Sequence, residues 1–434
     1  LLQHPVADIL CIIVVRRNMS PCNSSRDDQT AIIHYKESRD MKKMDTDFHK
    51  LNKRVLKTYG KKFEVSPDAL VSAPGRVNLI GEYTDFNRGF VLPMAIDRYL
   101  VMALGKREDE IIRVISEDFK EETSVDINAL AKKEKHSWGD YISGSIWALK
   151  KNGCNVHGFN CVISGNIPVG AGLSSSAALE MAVLRAASWI SGIPWNQTEM
   201  AKLGQLAENR WVGVNCGIMD QLTSSAGKKG HALLIDCETL SVQPCPVPEI
   251  SVLVMDTATR RNLVASAYNE RRQQCLTAAG KMGLSSLRGA DMALLEKNRS
   301  CMDADTSNRA EHVIKENIRV LDAVQAMEKN DPRKLGKLIY KSHESLRDCF
   351  DVSSPALNDI VECSMEEPAC FGARMTGAGF GGCAIALTEK GKEQEFIRNV
   401  SLCYEKKTGL EPAIYVCSPS DGVAVKTLKK SLMS

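Results

Sequence analysis

The stretch CGIMDQL at 216–222 carries one carboxylate, Asp220, and Glu208 lies twelve residues earlier in the helical pattern MAKLGQLAENRW. A phosphoryl transferase needs a carboxylate to hold magnesium and a second group to take the proton of the attacking hydroxyl, and these two acids could divide those tasks. Two acids at this spacing are equally what a solvated surface carries. A second group of charges, Arg76, Glu82 and Asp85, sits in APGRVNLIGEYTDFNRG at 73–89, a segment otherwise apolar or turn-like. Charged side chains that share hydrogen bonds among several hydroxyls suit a polyol, because charge-assisted hydrogen bonds are the strong ones. A hairpin whose charges face water would read the same way.

Two glycine-rich stretches could face an anion. In PVGAGLSSSAALEMA at 168–182, Gly170 and Gly172 permit close backbone approach to a ligand, and Ser174, Ser175 and Ser176 stand where a helix begins. Exposed N–H groups and the helix dipole would cradle a phosphate there, with hydroxyls to spare for a magnesium ion. A merely capped helix is the alternative. The loop is not a Walker A motif, which would place a lysine here. In RMTGAGFGG at 374–382, Gly377, Gly379 and Gly382 satisfy G-x-G-x-x-G, but CAIALTE follows and reads as a strand. The dinucleotide fingerprint must open a helix, so a pocket-lining loop opposite the first fits better than an oxidoreductase site.

Alternating and helical periodicities predict the elements that position these groups. FHKLNKRVLKTYG reads as a helix stopped by Gly60, and DALVSAPGRVNLIG as a strand broken by a Pro-Gly turn. GFVLPMAID, YLVMALG, NVHGFNCVISG, HALLIDC, SVLVMDT and GCAIALTE read as strands, while ALEMAVLRAASWIS, 309–329 and 334–348 read as helices. Strands and helices alternate without a steady βαβ rhythm, which predicts an α+β fold.

The chain has 434 residues and a net charge of +3, so its charge balance calls for neither nucleic acid nor an anionic membrane. Fifteen cysteines are scattered without any C-x-x-C pair, which predicts reduced, mostly buried thiols rather than a zinc site or a disulfide framework. Residues 1–45 contain the apolar run ADILCIIVVR but no signal-peptide order of charge and cleavage site, and they read as an unstructured leader or a misassigned start, with Met41 or Met44 as candidate beginnings.

Together the four segments resemble those of the GHMP small-molecule kinases. GRVNLIGEYTDFNRGFVLPMAID resembles the signature of the galactokinase branch, PVGAGLSSSAA its phosphate-binding motif, and MTGAGFGGCAIAL its third glycine motif. DTATRRNLVASAYNERRQQC and KLIYKSHESLRDCFDVSSPALN extend the likeness, which is collinear over roughly 46–420. The resemblance implies two domains, 46–220 and 221–434, with ATP and sugar in a cleft between them, and transfer of the γ-phosphoryl group to the anomeric hydroxyl of galactose. It implies Asp220 and Arg76 as the catalytic pair, and Glu208 with a serine of the run, taken as Ser175, as Mg2+ ligands. It places Glu82, Tyr83, Asp85, Gly217 and Tyr268 at the sugar. Trp138, Gly170, Gly172, Ser174, Ser175, Ser176, Arg260, Gly377 and Gly379 fall at the ATP. Tyr83 stands where the family usually has histidine, and Phe86 where it has tyrosine, which keeps N-acetylgalactosamine and galacturonic acid open as substrates. A non-catalytic sugar sensor would lose residues of the serine run, and this chain keeps them. A cytoplasmic monomer acting on small molecules is expected.

Overall fold

The structure, a computed structural model, describes residues 47–132, 137–168, 170–259 and 264–428; the leader and Arg260 lie outside them. Helix α1 covers 47–63 and buries Leu51, Val55 and Tyr59, one face at helical spacing. Gly60 does not stop it. The turn comes at Glu64, whose φ is 58° and whose N–H donates to the Gly60 carbonyl at 3.1 Å. The added turn is held by Phe63, whose ring lies 4.7 Å from that of Tyr59.

The chain continues through β1 (Ala69–Asn78), β2 (Phe90–Val91), β3 (Pro93–Lys106), β4 (Ile111–Ser116), β5 (Glu121–Asp126), α2 (Gly139–Lys151), β6 (Phe159–Gly165), α3 (Ser175–Ser191), α4 (Gln197–Ala207) and α5 (Met219–Ala226). Period-2 alternation sorts the sheet's two faces. Met102 and Leu104 of β3 join the main core, while Val101 and Ala103 face α1. The segments GFVLPMAID and YLVMALG are not two independent strands, since β3 runs unbroken through Asp97 and Arg98. Nor does Pro74-Gly75 make a turn. β1 continues through it with a register shift against β3 between Pro74 and Arg76, a bulge.

Beyond α5 come β7 (His231–Asp236), β8 (Ser241–Pro246), β9 (Ile250–Asp256), α6 (Val264–Lys281), α7 (Met292–Asn298), α8 (Ala304–Glu328), α9 (Pro332–Asp348), α10 (Pro355–Met365), β10 (Cys370–Thr376), β11 (Cys383–Glu389), α11 (Glu393–Thr408), β12 (Ala413–Cys417) and β13 (Ala424–Thr427). An antiparallel sheet of order β10-β11-β9-β12 divides its apolar residues between two cores. Leu253 and Met255 of β9 face the core shared with α6, α8 and α10, and Val252 and Val254 face the main core. β2-β7-β8 form a small third sheet, and β13 returns to pair with β1 in the order β13-β1-β3-β6-β4-β5. Among the named pairs only β4 and β6 run parallel, as an α+β fold requires. The described residues all fall in one compact unit. The expectation of fully reduced thiols needs one correction: Cys363 of α10 and Cys403 of α11 form a disulfide, their Cα atoms 5.8 Å apart. Forty residues separate them in sequence, so no spacing signal announces the pair.

Candidate active site

The bulge in β1 sets the centre of the site. A Cβ on Gly75 would lie 2.7 Å from the carbonyl oxygen of Leu173, so only glycine lets the glycine-serine loop come this close. Arg76 N–H then donates to that same carbonyl at 3.1 Å. The buried Arg76 side chain meets Asp220 as a two-pronged pair, Nε to Oδ1 at 2.7 Å and Nη2 to Oδ2 at 2.6 Å, and Nη1 donates to Gly172 O at 2.6 Å. This fork geometry is the strongest form of ion pair. Asp220 occupies the first turn of α5, where the helix dipole favours a carboxylate. Ser174 stands at the N-cap position of α3 with φ of 58°, yet makes no cap hydrogen bond; its hydroxyl donates to Asp220 Oδ2.

Behind this pair lies a nest of acids. At Glu208 the helix widens from α to π geometry over Glu208–Val212, a local irregularity often found at functional sites. The Glu208 carboxylate takes hydrogen bonds from Gln221 Nε2 at 2.6 Å and from the Cys216 thiol at 3.4 Å, and the Ser176 hydroxyl also reaches it. Burial and the nearby Asp220 raise its pKa to about 7. The hydroxyl against Glu208 is therefore that of Ser176, one residue beyond the serine assigned to magnesium from sequence.

The signature segment folds into a tight turn against the second half of the chain. Glu82 is buried and accepts from Asn78 Nδ2 at 2.8 Å, Thr376 Oγ1 at 3.0 Å and the Gly377 N–H at 2.7 Å, with the Arg374 guanidinium 3.3 Å away. Gly377, expected at the nucleotide, thus commits its N–H to the signature carboxylate. Asp85 stands against Gly217, where an added Cβ would fall 1.8 Å from Asp85 Oδ2. Burial first, and then the Asp220 charge, raise the Asp85 carboxyl to about 7. Tyr83, Phe86 and Tyr268 cluster beside it, with the Tyr83 and Tyr268 rings 5.3 Å apart and those of Phe86 and Tyr268 5.6 Å apart. The Tyr83 hydroxyl donates to the Ala378 carbonyl at 2.5 Å, so it ties the turn to the third glycine motif.

Sequence reasoning missed the clamp that holds this turn. Three residues of α8 bind its backbone: Glu316 Oε1 accepts the Gly81 N–H at 3.0 Å, Asn317 Oδ1 accepts that of Phe90 at 2.8 Å, and His312 Nε2 meets Glu82 O at 3.2 Å. Burial lowers His312 to about 4, so it serves as a neutral ring. A charged pair buried on a helix, Glu316 with Arg319, was the one signal available.

The two glycine stretches face each other as expected. Gly170, Gly172, Thr259, Gly379 and Gly381 help line a cavity of about 140 Å³ between them. A second cavity, of about 300 Å³, opens at Asp85, Phe86, Asn209, Gly217 and Arg272. Trp138 lies apart from the first cavity's lining, stacked on Phe119 with centroids 6.1 Å apart, its Nε1–H donating to Glu121 at 2.6 Å. Ser175 begins α3 on the loop side.

The chain that carries this site is similar to known proteins. Residues 140–228 match the GHMP kinases N terminal domain and residues 323–406 the GHMP kinases C terminal. Residues 57–106 match the galactokinase galactose-binding signature. A galactokinase of Haemophilus influenzae is 42% identical over 365 residues, which span 83% of this chain and 95% of that protein. One from Roseiflexus sp. is 40% identical over 383 residues, 87% of this chain and 97% of that one. The structure of Lactococcus lactis galactokinase complexed with galactose matches with a TM-score of 0.82 at 33% identity, covering 85% of this chain and 98% of that one. Methanococcus jannaschii mevalonate kinase, at a TM-score of 0.61 and 21% identity, covers 81% and 98% and shares the fold. The glycine loop, the helix it opens and the paired family domains therefore define a GHMP kinase. Within that class, the signature segment and the relatives place the chain in the galactokinase family.

Proposed function

We propose that this chain transfers the γ-phosphoryl group of ATP to the C1 hydroxyl of galactose, giving galactose 1-phosphate and ADP. The observation that carries this reading is the Asp220 carboxylate, fixed by Arg76 and Ser174 where the glycine-serine loop meets the signature turn. Asp220 takes the C1 hydroxyl proton. In a loose transition state that proton leaves late, so holding the hydroxyl in line counts for more than basicity. Arg76 keeps the carboxylate in one orientation and offsets negative charge developing at the sugar oxygen.

The loop around Gly170 and Gly172 receives the phosphates, with Ser174–Ser176 at the start of α3 and Gly379 across the cavity. Trp138 would flank the base, and Arg260 would reach the triphosphate. Glu82, Asp85, Gly217 and Tyr268 bind sugar hydroxyls, while Tyr83 shapes the pocket wall through its ring.

The residues present fit Mg2+. Glu208 is a buried carboxylate with a hydroxyl beside it and, among the described residues, no cation in its hydrogen bonds. Magnesium keeps several waters and binds through one or two carboxylates plus substrate phosphates. The ion would neutralise phosphate charge. No helix among the described residues is long and apolar enough to cross a membrane.

The test is a coupled ATP–Mg2+ assay with galactose, N-acetylgalactosamine and galacturonic acid as acceptors. Galactose is expected to give the highest kcat/KM. Turnover lowest on galactose would overturn the substrate, and none on any sugar would overturn the activity.

A further inference from the structure

Glu180 is a buried acid that the chemistry above leaves unused. It lies on α3 one turn after Ser176, on the same helix face, and is fully buried. Its Oε2 accepts from Gln221 Nε2 at 2.9 Å, and that same nitrogen donates to Glu208 Oε2 at 2.6 Å. Both hydrogens of one amide are thus spent on two carboxyl groups. The remaining oxygens of the pair, Glu180 Oε1 and Gln221 Oε1, are buried without hydrogen-bond partners. Such atoms are costly in a protein interior. The two have one property in common: a proton on Glu180 Oε1 would let it donate to Gln221 Oε1 and close a two-bond acid–amide ring. α4 leaves room for the ring at Gly204, where a Cβ would lie 2.5 Å from Met181 Cε and 3.1 Å from Gln221 Cγ.

We propose that Glu180 is a positioning residue that pairs with Gln221 as a neutral carboxylic acid and thereby aims the second Gln221 N–H at Glu208. Full burial of the carboxyl, and two facing groups whose remaining oxygens both lack a donor, favour that neutral form. Gln221 follows Asp220 directly in α5, so the ring links the proton-accepting side chain and the acid assigned to magnesium through one rigid turn. The metal part of this inference rests on the reading of Glu208 given above, whereas the ring does not.

Three variants decide it: Glu180→Gln, Glu180→Ala and Glu208→Gln. An amide at 180 supplies the same donor and acceptor as a protonated acid, so Glu180→Gln should keep wild-type melting temperature, kcat and metal requirement within twofold. Glu180→Ala should weaken Mn2+ binding, titrated in the presence of ADP, by about tenfold and raise the Mg2+ concentration for half-maximal rate alike, with the sugar KM unchanged. Infrared difference spectra of wild type against Glu180→Gln should contain the carbonyl band of a protonated carboxyl. Loss of metal binding in Glu180→Gln equal to that in Glu180→Ala would overturn the proposal, as would absence of the carboxyl band. Should Glu180→Ala not fold, Glu180→Gln and the infrared band still decide. Unchanged Mn2+ affinity in Glu208→Gln would instead remove the metal reading and leave the ring standing.

Discussion

Ser174 turns its hydroxyl onto Asp220 Oδ2, the same oxygen that accepts from Arg76 Nη2. A serine at the start of a helix ordinarily caps it, worth about 1 kcal/mol. Here the left-handed backbone at 174 diverts the hydroxyl to a residue 46 positions away, and the helix gives up that cap. Local strain of this kind gathers at functional sites.

Asp220→Asn is expected to lower kcat by roughly 10²–10⁴, the range for loss of an acid–base group, with nucleotide affinity nearly unchanged. Ser174→Ala should cost about tenfold, since one hydrogen bond to a charged oxygen is lost while the Arg76 fork remains. Steady-state kinetics with calorimetric ATP titration checks both. Full activity in Asp220→Asn rules that carboxylate out.

Gly217→Ala should raise the sugar KM at least about tenfold while leaving ATP binding intact. The new methyl group would fall inside contact distance of Asp85, and displacing a positioning group by about an ångström can cost roughly a hundredfold. Sugar and nucleotide saturation curves, measured separately, distinguish this from general unfolding.

Asp85 carries a pH signature. Its folded pKa of about 7 lies above the ordinary 3.8, so between those values the native state binds a proton that the unfolded chain has released. Stability therefore declines as pH rises across that window and stays lower above it. Asp85→Asn should melt about 1–3 °C above wild type at about pH 8 and show little gain near pH 4. Equal differences at the two pH values would refute this.

Glu316 behaves in the opposite sense. Burial pushes its pKa up, but Arg319, with His312 and Arg374, outweighs that and brings it to about 2. Its stabilisation is present above the ordinary 4.5 and is lost as pH falls toward 2. Glu316→Gln should cost about 3 kcal/mol near neutrality, shrinking in acid, because Arg319 loses its buried partner. It should also raise the sugar KM, since the Gly81 N–H then meets a neutral amide oxygen, a weaker acceptor than the carboxylate. Denaturant melts at two pH values and sugar kinetics test the two halves.

What the sequence made legible was local. The glycine-serine loop, Asp220, Arg76 and Glu208 stand in contiguous motifs, and the structure brings them together as the motifs implied. Gly60 and Pro74-Gly75 misled because glycine and proline mark possible breaks, while Phe63 packing and the β1–β3 ladder decided otherwise. The grip of α8 on the signature turn joins residues more than 220 positions apart, and the Glu180–Gln221 contact spans 41. Neither periodicity nor motif spacing reports such pairings. The resemblance places Tyr83 at the sugar, and no local signal announces that its hydroxyl meets a carbonyl 295 residues on.

The pairing of β13 with β1 has a bearing on biosynthesis. Ala69–Ser72 emerge from the ribosome early, yet their hydrogen-bonding neighbours, Ala424–Thr427, are translated more than 350 residues later. Until then one flank of the first sheet stays open, the kind of bare backbone that invites intermolecular pairing. A nascent chain halted just short of that strand would have its catalytic residues in full and an adhesive rim beside them.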